Sequence, residues 1–159
     1  MELANFLIKN NRGITFNNAH YLASLYVLEA RDEGVNHDAA FAQMCLETGF
    51  LKFDGVVKAH QNNLGGIGAV NDYTPGESFP TLKIGVRAQI QHLKAYATTE
   101  SFSKKIVDPR LSYVKRGSAP TIFGLTNRWS EDDAYGWKIK GLIDRLYASS
   151  TNKNPAIQN

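Results

Sequence analysis

The stretch Phe41-Ala42-Gln43-Met44-Cys45-Leu46-Glu47-Thr48-Gly49-Phe50-Leu51 places one acidic residue at the end of a mostly apolar run. Small and apolar residues before Glu47 predict a helix that is buried on most of its circumference, and Gly49 predicts its end. Removal of a carboxylate from water raises its pKa, and a carboxyl still protonated near neutral pH can serve as a general acid. Glu47 is therefore a candidate acid. The alternative is a solvated glutamate at a helix end, or one paired with a lysine.

The composition indicates one folded domain. The chain has 159 residues, of which 43% are hydrophobic and 21% charged, enough to build a buried core. The net charge of +3 favours anionic surroundings without choosing among nucleic acid, lipid and cell wall. The 18 basic residues are scattered along the chain, so we expect no nucleic-acid binding.

The single cysteine, Cys45, cannot form an intramolecular disulfide, and its apolar helix predicts a core position. Since no Cys/His cluster has metal-ligand spacing, neither a metal nor a cofactor is expected. The first residues lack the features of a signal peptide, and no span reaches the apolar length of a membrane helix. We therefore expect a soluble chain without membrane insertion.

Helical periodicity and turn residues predict a mostly helical domain over residues 1–150, followed by a flexible tail at 151–159. Residues 1–13 are expected to be an irregular lead-in, and residues 99–130 short helical fragments separated by turns. Four helices are predicted within this domain. The first is capped by Asn17 or Asn18 and ends at Gly34, the second is capped by Asp38, the third runs from about Lys83 to Thr98, and the fourth begins after Asp132-Asp133.

Glycines, prolines and the Asn62-Asn63 pair interrupt helical periodicity between residues 52 and 80 and predict loops or short strands. Long irregular segments of this kind inside a compact domain are usually functional. Leu64-Gly65-Gly66-Ile67-Gly68 lacks the Lys-Ser/Thr ending of a phosphate loop. Its glycines are instead expected to let the backbone approach a ligand or another segment closely.

Two motifs in this order resemble the glucosaminidase domains of glycoside hydrolase family 73, bacterial and phage enzymes that cut peptidoglycan glycan chains. One is Glu47-Thr48-Gly49-Phe50, which matches the family's Glu-Ser/Thr-Gly-aromatic helix end. The other is Asn63-Leu64-Gly65-Gly66-Ile67, which matches its Asn-x-x-Gly-Ile segment. The resemblance covers roughly residues 16–148. It implies a mainly α, α+β, lysozyme-like fold with a helical lobe and a small loop/β lobe.

The resemblance also implies an activity. Glu47 matches the family's general acid, which protonates the glycosidic oxygen between N-acetylglucosamine and N-acetylmuramic acid. The expected protein is then an endo-β-N-acetylglucosaminidase that acts on peptidoglycan glycan strands as a monomer. Its expected location is the cell envelope or the outside of the cell, and a phage origin is compatible with the resemblance. Muramidase or lytic transglycosylase action on the neighbouring bond is an alternative, as is a wall-binding module without catalysis.

Glycoside cleavage develops positive charge on the sugar, so a carboxylate, a water held by one, or the substrate's acetamido oxygen must stabilise it. In the family the second acid often comes from the β lobe, at a position that varies. Glu77 is the favoured candidate here, ahead of Asp72 and Asp54. The alternative for Glu77 is a solvated loop charge.

The segment before the last helix departs from the family's usual pattern. Trp129 replaces the first of two tyrosines, and Tyr135 matches the second. Tyr135 is expected to place its hydroxyl near the reacting sugar and Trp129 to stack on a sugar ring, although both residues are also suited to the core.

Three further residues complete the predicted site. Asn63 is expected to bind substrate or to fix the turn of the β lobe, and Gly66 is expected at the substrate-binding surface. His92 could line the cleft or be a buried, hydrogen-bonded histidine.

Overall fold

The computed structural model describes residues 2–151 and contains within them five α-helices and one two-stranded sheet. The helices are α1 Glu2–Asn10, α2 Phe16–Glu33, α3 His37–Glu47, α4 Leu82–Ala97 and α5 Tyr135–Thr151. The strands β1 Ala69–Asn71 and β2 Thr74–Pro75 pair antiparallel. The predicted mainly helical class is confirmed, and the arrangement is consistent with a lysozyme-like α+β fold. We call residues 52–80, which contain the sheet, the β lobe. Most of the predicted tail lies outside the described residues.

The prediction of an irregular N-terminal segment is wrong. Residues Glu2–Asn10 form α1, whose Leu3, Ala4, Phe6 and Leu7 are buried in the main core. A nine-residue helix is too short to be stable in water by itself, so this packing holds it in shape. Local sequence features gave little indication of a helix that depends on tertiary contacts.

Two helices begin at residues other than those predicted. Oγ1 of Thr15 accepts a hydrogen bond from the backbone N–H of Asn18 and caps α2. Oδ1 of Asn36 accepts from two backbone N–H groups and caps α3, which places Asp38 inside the first turn. Each cap is a residue of the preferred type within three positions of the predicted one. Gly34 ends α2 with a φ of 74°, as predicted.

Helix α3 runs through the centre of the helical lobe. Every residue from Ala40 to Cys45 is buried, which confirms the predicted burial on most of its circumference. Tyr26 of α2 packs edge-on against Phe41, and Ile139 of α5 is also fully buried in this core. Burial raises the pKa of the Cys45 thiol well above its usual range, in keeping with its predicted core position.

The β lobe meets α4 in a backbone contact. A Cβ atom on Gly85 would lie 1.8 Å from the carbonyl oxygen of Asn62, so no other residue fits there without a shift of the backbone. The Asn62 side chain also donates a hydrogen bond to the carbonyl of Phe79, at 2.9 Å. The contact with Gly85 fixes the start of the glycine-rich loop, residues 63–68, relative to the helical lobe.

Buried carboxylates of α2 hold the chain that follows α4. Glu33 is 3% exposed, pairs with Lys94 at 3.0 Å, and accepts hydrogen bonds from the backbone N–H groups of Ser103 and Lys104. Burial opposes the ionisation of Glu33, but these hydrogen bonds outweigh it and lower its pKa. The segment that leads to residues 108–110 is thereby attached to the helical lobe.

Candidate active site

Glu47 ends α3, and its carboxylate contacts a residue from the other end of the sequence. The hydroxyl of Tyr135, at the start of α5, donates a hydrogen bond to Oε1 of Glu47. Burial raises the pKa of Glu47 to about 7, although the hydrogen bond from Tyr135 works in the opposite direction. A carboxyl with such a pKa exchanges a proton near neutral pH, which a general acid requires.

The turn after Glu47 is tightly constrained. Gly49 follows the C-cap residue Thr48 with a φ of 56°, as expected of a glycine that ends a helix. Phe50, Leu51 and Phe53 also have positive φ values, of 59°, 64° and 55°. Bulky residues rarely adopt this conformation, and clusters of such residues are typical of functional sites. Oγ1 of Thr48 stabilises the turn by accepting from the N–H of Leu51 at 2.9 Å.

The glycine-rich loop lies against the other carboxylate oxygen of Glu47. A Cβ atom on Gly66, whose φ is 66°, would lie 2.9 Å from Oε2 of Glu47. A Cβ atom on Gly65 would lie 2.8 Å from Cγ of Gln89. The glycines therefore let the loop approach other segments of the protein closely, one of the two predicted possibilities. At Gly66 the neighbouring group is the candidate acid itself.

Asn63 gives the loop its shape. The side chain is completely buried, accepts a hydrogen bond from the N–H of Ile67, and donates to the carbonyls of Ile67 and Glu77, all at 2.9 to 3.1 Å. These bonds join the loop to the segment that follows β2. They support the role of fixing the turn, one of its two predicted roles; direct binding of substrate stays a prediction.

Trp129 and His92 pack against each other behind the loop. Their rings meet edge-on with centroids 4.8 Å apart, and the indole N–H of Trp129 donates to the carbonyl of Gly65 at 3.1 Å. Nδ1 of His92 lies 2.6 Å from Oδ2 of the buried Asp108. Both residues thus support the loop that contacts Glu47. Sugar stacking by Trp129 and substrate binding by His92 stay predictions.

Glu77, the favoured candidate for the second carboxylate, is hydrogen-bonded to this loop. Its N–H donates to the carbonyl of Ile67 at 2.9 Å, and its side chain pairs with Arg110, with Nε 2.7 Å from Oε1. Arg110 in turn lies over the ring of Tyr113 and against Gly68. The two weaker candidates, Asp54 and Asp72, are exposed. Glu77 is therefore the candidate that is held in place by specific contacts.

Comparison with known proteins agrees with this geometry. A family model described as "Glucosaminidase: Mannosyl-glycoprotein endo-beta-N-acetylglucosaminidase" matches residues 23–148. The chain belongs to this family. It is also 44% identical over 154 residues to a Borreliella burgdorferi protein described as uncharacterized, covering 96% of this chain and 76% of that relative. No solved structure matches it. The glucosaminidase family supports a glycosidase activity on a glycan substrate.

The residues described above around Glu47 lie inside the part of the chain that the family model matches. Within residues 2–151, no group of three or more His, Cys, Asp and Glu side chains is placed to hold a metal ion. The same residues contain no helix of the length and apolar character needed to cross a membrane.

Sequence reasoning missed one part of the site, the buried amides of Gln43 and Gln89. Both are completely buried and hydrogen-bonded to each other, and Gln43 also reaches Tyr135. The available signal was Gln43 itself, a polar residue in an apolar helix, four positions before Glu47 and so on the same helix face. Buried amides need partners, which makes such a residue informative.

Proposed function

We propose that this protein hydrolyses the glycan strands of bacterial peptidoglycan as an endo-β-N-acetylglucosaminidase, with Glu47 as its general acid. The observation that carries the proposal is a carboxyl with a pKa of about 7, one oxygen of which accepts from the Tyr135 hydroxyl. Its other oxygen lies 2.9 Å from where a Cβ atom on Gly66 would be. Protonated Glu47 transfers its proton to the glycosidic oxygen, so that the leaving sugar departs as a neutral alcohol.

Glu77 is the proposed second group. As a carboxylate it would stabilise the positive charge that develops on the sugar, or hold the attacking water. Its backbone bond to Ile67 links it to the loop that contacts Glu47, and Arg110 fixes its side chain. Arg110 also offsets part of the negative charge of Glu77, which weakens direct stabilisation. The substrate's acetamido oxygen is the alternative partner.

The test is digestion of purified, insoluble peptidoglycan by the wild type, Glu47→Gln, and the control Glu100→Gln, which alters an exposed glutamate. We expect Glu47→Gln to lose wall clearing while it still binds the wall, and Glu100→Gln to clear like the wild type. Mass spectrometry of the fragments should show N-acetylglucosamine at the reducing ends.

Three outcomes would contradict parts of this proposal. Clearing by Glu47→Gln would remove Glu47 as the acid. Fragments ending in N-acetylmuramic acid, or in its anhydro form, would indicate a muramidase or a lytic transglycosylase. A wild type that binds the wall without releasing fragments would indicate a binding module.

A further inference from the structure

A line of buried hydrogen bonds joins the core of the helical lobe to Glu47. Tyr26 donates to Oε1 of Gln89 at 2.5 Å, and Nε2 of Gln89 donates to Oε1 of Gln43 at 2.8 Å. Nε2 of Gln43 donates to the hydroxyl of Tyr135 at 3.0 Å, and Tyr135 donates to Oε1 of Glu47. We call these five residues the polar chain. The first three are completely buried and Tyr135 is 3% exposed.

One backbone carbonyl determines the direction of every bond in the polar chain. The amide of Gln89 also contacts the carbonyl oxygen of Ala40, at 3.1 Å. A carbonyl oxygen can only accept, so the Gln89 atom that faces it must be the NH₂ group. The same NH₂ group faces Gln43, so Gln43 must present its oxygen there and its own NH₂ group to Tyr135.

This direction determines which oxygen of Glu47 carries the proton. The hydroxyl oxygen of Tyr135 accepts from Gln43, so its single hydrogen is directed to Oε1 of Glu47. An oxygen that accepts this bond is a poor place for a proton. When Glu47 is protonated, the proton is therefore on Oε2, the oxygen against the backbone of Gly66.

We propose that Gln43 and Gln89 are positioning residues for Glu47. The carbonyl of Ala40 fixes the orientation of both amides, so that Tyr135 donates its hydrogen to Oε1 of Glu47. The transferable proton is thereby kept on Oε2. The value of this arrangement for catalysis rests on the proposed function of Glu47. The arrangement itself does not, because it follows from the hydrogen bonds alone.

The two tyrosines of the polar chain and the neighbouring Cys45 thiol keep their protons near neutral pH. Burial, with a smaller effect of Cys45, raises the pKa of Tyr26 above its usual range, and burial together with Glu47 does the same for Tyr135. Cys45 is itself buried with a raised pKa, and Asp132, before α5, adds to the effect on Tyr135. Helix α4 contributes the neutral Gln89. Glu47 is therefore the member of the chain that titrates near pH 7.

The experiment measures the pKa of Glu47 directly, by carbon-13 NMR titration of its carboxyl, in the wild type and in Gln43→Met. Loss of the bond from Gln43 makes Tyr135 a weaker donor to the carboxylate and lets Glu47 hold its proton on either oxygen. Both effects should raise the pKa, by about half a unit to one unit. The kcat of wall digestion should fall several-fold while KM stays unchanged. The basic limb of the pH profile should move to higher pH, together with the pKa of Glu47.

Gln91→Met is the matched control. Gln91 is also a completely buried amide on α4, but it bonds to the backbone of Lys105 and Val107, outside the polar chain. We expect this variant to lose stability without a change in the pKa of Glu47. Since Gln43 acts through Tyr135, Gln43→Met should add no further shift in a Tyr135→Phe background.

The proposal is overturned if Gln43→Met leaves the pKa of Glu47 unchanged, if Gln91→Met shifts it equally, or if the shift persists in the Tyr135→Phe background. If Gln43→Met does not fold, Gln89→Met tests the same direction with a smaller expected shift. The titration measures the pKa of Glu47 without hydrolysis. Wall clearing by Glu47→Gln would therefore refute the proposed function without refuting the role of Gln43 and Gln89 in orienting Tyr135.

Discussion

Glu77 and Arg110 form an ion pair, with Nε of Arg110 2.7 Å from Oε1 of Glu77, and both side chains are partly exposed. Pairs at such exposure contribute only about 0 to 1 kcal/mol to folding. The effect of changing Glu77 on activity can therefore be separated from its effect on stability.

Substitution Glu77→Gln tests the second carboxylate. If Glu77 stabilises the developing positive charge or holds the water, kcat should fall by about 10² or more while the free energy of unfolding changes by less than about 1 kcal/mol. The control is Asp72→Asn, which alters the exposed carboxylate at the hairpin tip. Wild-type kcat in both variants would favour the substrate's acetamido group for this role.

The activity should depend on pH through Glu47. A general acid must be protonated, so kcat/KM should fall about tenfold per pH unit above a pKa of about 7. Tyr135→Phe removes a hydrogen bond that lowers this pKa, so its basic limb should move to higher pH. Rates on a soluble glycan fragment between pH 5 and 9 measure the basic limbs of the wild type and of Tyr135→Phe. A wild-type profile that stays flat to pH 9 would exclude Glu47 as the titrating group.

Burial of Glu47 should also make the fold less stable at high pH. Its pKa is raised in the folded protein from an ordinary 4.5 to about 7, so the folded state binds more protons between these values. Stability is then lost as the pH rises through this window. Glu47→Gln removes that loss and should stabilise the protein by about 1 to 3 kcal/mol at pH 8 relative to its effect at pH 4. Urea unfolding at both pH values measures the difference, and equal effects would show that Glu47 is solvated.

Substitution Gly66→Ala tests the contact between the loop and Glu47. The added Cβ meets Oε2 at 2.9 Å, so the carboxyl must move and kcat should fall by at least tenfold. Gly34→Ala is matched in backbone strain, since its φ is 74°, but its Cβ would contact nothing within 4 Å. Both variants should lose about 1 kcal/mol of stability. Equal losses of activity would mean that general destabilisation, rather than the contact with Glu47, is responsible.

The buried pair of Glu33 and Lys94 should matter far more to stability than a surface pair. Glu33→Gln leaves Lys94 buried without its countercharge and should cost about 3 to 5 kcal/mol. Asp144→Asn breaks the exposed pair with Lys140 and should cost less than about 0.5 kcal/mol. Thermal unfolding of the two variants measures both values. A small cost for Glu33→Gln would show that the charge of Lys94 does not depend on Glu33 for its stabilisation.

The sequence was most informative where a local pattern determined the structure. The burial of α3 and the close approach at Gly66 followed from residue type and spacing. The caps were displaced because several good capping residues stand within three positions of each other, as with Asn36 and Asp38. The order of Thr, Asn and Asp in a turn does not tell which side chain will cap the helix.

Contacts between distant segments could not be predicted in this way. Arg110 is 33 residues from Glu77, and Tyr135 is 88 residues from Glu47. Tyr135 was nevertheless predicted near the reacting sugar, because the family resemblance carried that information. Arg110 and Gln89 had no such support, since nothing in one sequence states which partner a buried amide or a loop arginine will find.

The backbone contact between Gly85 and Asn62 bears on how the protein would accept a polymer. Asn62 directly precedes the loop that ends against Glu47, so a displacement that widened the space between Gly66 and Glu47 would have to separate α4 from that loop. We therefore expect the space between Gly66 and Glu47 to keep a fixed width rather than to open and close. Glycans with bulkier sugar modifications would then be excluded from this space by their size, however long they remain bound to the protein surface.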